Sequence, residues 1–109
     1  MSGKKTQKVY TLVVQVGRKK GDGLPKKATG AGLLCYATGV DEDEAVREAV
    51  ALLKSADMNP LDVTGYGTLE DREAEEPVPE EERALMARAL DENAVIVAEC
   101  TPFFDGDAA

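Results

Sequence analysis

The chain has 109 residues, 43% of them hydrophobic and 31% charged, which suits one ordinary domain with a single core. Residues 1–40 hold eight Lys and Arg and one acid, residues 41–109 five and twenty, so formal charges of +7 and −15 make up the net −8. With no His, Ser-His-Asp and Cys-His nucleophile systems and His-bearing zinc sites are excluded, and two Cys are too few for a four-cysteine zinc site in one chain.

Residues 1–7 form a polar, Lys-bearing leader expected to be flexible. Lys8–Val16 reads as a strand, with Tyr10, Leu12, Val14 and Val16 on one face and Val9, Thr11, Val13 and Gln15 on the other. Residues 17–30 follow with four glycines, Pro25 and five cations. That composition predicts a loop, longer than the roughly two to five residues usual in a hairpin. Ala31–Thr38 reads as a second strand, apolar on both faces and therefore interior to the sheet.

Asp41-x-x-Glu44 has the spacing of a capping box and opens a helix whose apolar stripe is Val46, Ala49, Val50 and Leu53. Asn59-Pro60 stops it. Leu61–Leu69 alternates as a half-exposed strand with Gly65 and Gly67 on its inner face. Glu70–Val78 reads as an acidic connection. Pro79 then opens a second helix with Leu85, Met86, Ala89 and Leu90 on its apolar side and Asn93 as its C-cap. Ala94–Thr101 is the last strand, and residues 102–109 form a tail carrying Phe103 and Phe104. Residues 1–109 are thus expected to form a single α+β domain. Its architecture would be a small ββαβαβ two-layer sandwich, with a four-stranded antiparallel or mixed sheet and two helices on one face.

The loop offers the main candidate site. Arg18, Lys19, Lys20, Lys26 and Lys27 sit on a glycine frame, which would clamp nucleic-acid phosphate, a nucleotide or an acidic protein face. The alternative is a solvated hairpin loop that the lysines keep soluble. The segment is not a P-loop, because GxxxxGK[ST] is absent and a strand, not a helix, follows it. Asp41–Glu44 is a capping run and not a metal site: Ala45 and Val46 stand where an EF-hand wants an acid and then Gly. Cys35 and Cys100 are expected as buried free thiols, with no base beside them. Gly39–Ala49 resembles the strand-then-helix segment of HicB-type antitoxin domains in residue types, and no function is carried over from it.

No stretch approaches the roughly 20 apolar residues that span a bilayer, and Met1–Lys5 lacks the pattern of a signal peptide, so a cytoplasmic location is expected. No catalytic constellation, metal site or cofactor motif is recognisable. The expected role is therefore a non-enzymatic interaction domain that forms a homodimer and binds a protein partner. The alternative is a nucleic-acid, nucleotide or other anion binder acting through residues 17–30. Against broad duplex binding stands the −15 of residues 41–109, which repels phosphate.

Overall fold

The alternation in the first strand yields two faces, one buried throughout and the other buried only in part. In the computed structural model, which describes residues 6–104, the elements are β1 (Lys8–Gly17), β2 (Ala28–Gly39), α1 (Glu42–Ser55), β3 (Asn59–Thr68), α2 (Leu69–Glu75), α3 (Glu80–Glu92) and β4 (Ile96–Phe104). The strands form one antiparallel sheet in the order β3-β1-β2-β4. The β1–β2 hairpin is its centre, and β3 and β4 are its edges.

One face carries Leu12, Val14 and Val16 of β1 beside Leu33, Cys35 and Ala37 of β2, packed on Ala45, Ala49 and Leu53 of α1. The small alanines let the helix lie close to the strands. The other face carries Val9 and Tyr36, packed on Met86 and Ala89 of α3. The helices therefore lie on opposite faces, and the expected two-layer sandwich with both helices on one side is corrected to three layers. The cause is legible in β1 and β2: Val9 and the ring of Tyr36 are large apolar surfaces on the face away from α1, and water would be poor cover for them.

A third helix also departs from expectation. Thr68 and Asp71 make a reciprocal capping box, with Asp71 N–H donating to Thr68 Oγ1 at 3.1 Å and Thr68 N–H to Asp71 Oδ2 at 3.0 Å. That pair starts α2 at Leu69, the last residue of the expected strand, and α2 then takes up most of the stretch expected to be an acidic connection. The cap expected at Asp41 is present, its Oδ1 accepting from Glu44 N–H at 2.9 Å. Asn93 ends α3 in the left-handed conformation, at φ 51°.

The strands reach further than the sequence pattern suggests. β1 and β2 leave only residues 18–27 as loop, and β4 takes in Pro102, Phe103 and Phe104. The leader's residues 1–5 and the tail's residues 105–109 lie outside the described residues. Cys35 is buried as expected, whereas Cys100 is exposed because it sits on an edge strand. Among the described residues, no helix is long and apolar enough to cross a membrane.

Candidate functional site

α3 shields Val9 and Tyr36 fully, while Leu34, at the margin of that cluster, and Val13 are only partly covered. A cleft of about 430 Å³ opens there, between the sheet and the α2–α3 connection. Thr11, Val13, Leu34 and Tyr66 form its sheet side, and Glu75 to Pro79 form the opposite rim. Tyr66 projects into solvent at 56% exposure. Further along the same face, Phe103 of β4 lies over Gly32 of β2. A Cβ at Gly32 would come within 3.3 Å of the ring's Cζ, so the glycine makes room for the aromatic.

A polar network underlies the cleft. Arg72 of α2 donates from Nη1 to Glu82 Oε1 of α3 at 2.9 Å and to Thr11 Oγ1 of β1 at 3.0 Å. Tyr36 OH of β2 donates to the same Glu82 oxygen at 2.7 Å. The two donors hold the Glu82 carboxyl below its usual range, Arg72 contributing most and Tyr36 next. Burial, with the Glu82 carboxylate second, pushes the Tyr36 phenol well above its usual range. Each partner thus favours the charge state its neighbour needs, and the network ties α2, α3 and the two central strands together.

The hairpin loop is built around its one acid. Asp22 accepts from Arg18 Nε at 3.0 Å and Nη2 at 3.3 Å, from Lys19 N–H at 2.9 Å and from Leu24 N–H at 3.0 Å. Those donors, the Arg18 guanidinium first, lower the Asp22 carboxyl to about 2. Arg18 Nη1 turns the other way, donating to the carbonyls of Ala28 and, at 2.9 Å, Pro25. The arginine bridges the two sides of the loop. Gly21 at φ +85° and Gly23 at φ +76° flank Asp22 and allow the chain to wrap around it.

The five loop cations therefore separate into two kinds. Arg18, though partly exposed, is tied into the loop by its bonds, while Lys19, Lys20, Lys26 and Lys27 are exposed and make no ion pair among the described residues. The lysines sit at the end of the sheet where β1 passes into β2. Asp41–Glu44 and α2 lie at the other end, following the β2 and β3 positions that pair with Lys8 and Tyr10. A second hollow, of about 450 Å³, lies between α1 and the segment before β4, edged by Glu44, Glu48, Leu52 and Asn93.

Sequence patterning does not bring out Arg72, Glu82, Tyr36 and Thr11 as a group, since they come from four elements. One signal is present: Arg72 is the only cation between Lys54 and Arg83, in a run otherwise rich in acid. Among the described residues no three Cys, Asp or Glu side chains are placed to hold a metal ion.

A family model described as "Domain of unknown function (DUF8846)" matches residues 9–104, the span from β1 to the end of β4. No curated protein and no solved structure matches the chain.

Proposed function

We propose that this chain, which belongs to the DUF8846 family, is a non-enzymatic interaction domain of the cytoplasm that self-associates and binds a protein partner. The observation that carries this reading is the part of the sheet face that α3 leaves uncovered. Val13, Leu34, Tyr66 and Phe103 present apolar surface there, around a cleft with room for a side chain. The rim acids Glu75 and Glu76 suit a partner segment in which a basic residue flanks an apolar one. Arg72 and Glu82 are already paired with each other, so the cleft asks little charge of what enters it.

A second reading rests on the four exposed lysines. They would hold a phosphate-bearing or acidic partner at the loop end of the sheet, far from the acids that repel it.

Light scattering at micromolar concentration tests self-association. The dimer mass is expected at both low and high salt, and a monomer mass of 11.6 kDa in both would refute it. A pull-down from native lysate separates the two modes of partner binding. Capture that survives high salt and is lost in Val13→Asp supports the cleft. Capture lost in high salt, competed by heparin and abolished by changing the four lysines to Ser supports the loop.

A further inference from the structure

We propose that β4 is the self-association surface, its free edge pairing antiparallel with the same edge of a second copy about a two-fold axis at Cys100. This rests on the self-association reading and adds to it the surface and the register. Among the described residues, Ile96–Phe104 pairs with β2 on one side and with no strand on the other, and Cys100 is its middle residue.

The direction of the free groups follows from the proline. Pro102 stands opposite Ala31 and has no N–H, so this cannot be a pair that exchanges two hydrogen bonds, and its carbonyl faces outward. Cys100, two residues earlier in the same unshifted stretch, opposite Leu33, likewise turns its N–H and C=O to the open side. A two-fold axis at Cys100 lets the two copies exchange a pair of N–H···O bonds there, while Pro102, opposite Ala98 of the second copy, offers only its carbonyl. Glu99, the only charge in β4, then falls opposite Thr101 of the second copy and not opposite itself. Val97 and Phe103, 41% and 39% exposed, lie on either side of that axis and lose water on pairing.

Charge selects the antiparallel arrangement. Lys26 and Lys27 immediately precede Ala28, which pairs with Phe104 at the C-terminal end of β4. The N-terminal end of β4 follows Asp91 and Glu92 and adjoins the hollow edged by Glu44 and Glu48. Antiparallel pairing brings each copy's lysines toward the other's acidic end, twice over. Parallel pairing would set lysines beside lysines and acids beside acids. The contact is isologous, so it closes at two copies.

Cross-linking with bismaleimidoethane tests the register. Cys35 is buried and its thiol is raised to about 11 by burial, which leaves Cys100 as the reactive group. The native protein is expected to give a band at twice the chain mass. Cys100→Ser should abolish that band and still scatter light as a dimer. Cys100→Pro replaces the outward N–H with a ring carbon and leaves the bonds to β2 in place, so it should keep the circular dichroism of the wild type and raise the dimer dissociation constant about tenfold or more. Lys26→Glu with Lys27→Glu should raise it too, most strongly at low salt. A dimer that gives no cross-link, or one whose dissociation constant is unchanged in a folded Cys100→Pro, overturns β4 pairing and leaves self-association standing. A monomer overturns both. If Cys100→Pro does not fold, the cross-link of the native chain decides.

Discussion

Arg18 and Asp22 grip each other at two points, Nε to Oδ2 and Nη2 to Oδ1, inside a loop whose four lysines face solvent. One acid among eight cations in residues 1–40 is thus the residue that shapes the loop.

Two kinds of loop variant should behave differently. Changing Lys19, Lys20, Lys26 and Lys27 to Ser should leave the melting temperature nearly unchanged, as exposed positions do. Arg18→Ser should lower it, because Asp22 and the Pro25 and Ala28 carbonyls lose their donor. Asp22 also sets a pH dependence. Its carboxyl is depressed from 3.8 to about 2, so the stability it contributes is full above the unfolded value and is lost as pH falls through about 2. Urea midpoints between about pH 4 and pH 2 should fall more steeply for the wild type than for Asp22→Asn. Equal slopes would show that the contact is not formed in solution.

Asp41→Ala should cost about 1 kcal/mol, since Glu44 N–H loses its acceptor at the start of α1. Glu44 returns the bond one residue earlier than a standard capping box, its Oε1 accepting from Val40 N–H at 2.8 Å. Asp43→Ala removes neither bond and should cost less. Chemical denaturation of the two variants checks the order.

The three-layer arrangement predicts which β1 residues tolerate a charge. Val9→Asp should unfold the protein, because Met86 and Ala89 cover Val9 on the α3 side. Val13→Asp, four residues further along the same face and only partly covered, should fold. Met86→Ala should cost about 2–5 kcal/mol and Leu90→Ala, 40% exposed, much less. If both helices lay on the α1 face, Val9→Asp would be harmless, and a circular dichroism spectrum decides between the two.

Tyr36 governs the alkaline limb. Burial raises its phenol above the ordinary 10.0, so the stability it contributes is full below that value and is lost as pH rises beyond it. Melting temperatures of wild type and Tyr36→Phe should converge above about pH 10. At pH 7 the variant should be less stable by about 1–3 kcal/mol, because Glu82 keeps only Arg72 as its hydrogen-bond donor. A gap that persists unchanged to high pH would mean the phenol does not act through its ionisation.

The legible part of the fold is the part fixed by local chemistry. The Asp41 cap, the Asn93 stop and the alternation of Lys8–Val16 each act within a few residues and appear where the pattern puts them. The layering was not legible in the same way. Whether Val9 and Thr11 meet a helix of their own chain or something else depends on which way the chain crosses after β3. Helix α2 was within reach, since Thr68-x-x-Asp71 has the same spacing as Asp41-x-x-Glu44. Its short length and acidic surroundings gave no apolar stripe to draw attention to it. The Arg72–Glu82–Tyr36 network lies beyond sequence patterning, because its members are separated by up to 46 positions and meet only when the sheet is complete.

The central place of the β1–β2 hairpin has a kinetic consequence. Its strands are neighbours in sequence, and closing a loop of that size takes on the order of 10–100 ns. Both edge strands need that hairpin before they have anything to pair with: β3 docks on β1 and β4 on β2. The order of assembly is therefore written into the strand order, with the hairpin as nucleus, α1 and β3 condensing on one side, and β4 arriving last. Truncations at Leu12 and Leu33 should act mainly by slowing folding, and those in β4 mainly by hastening unfolding. In a copy that has not paired, β4 is held by β2 alone and is expected to open more readily than the two central strands; pairing with a second copy would remove that route to exposing the core.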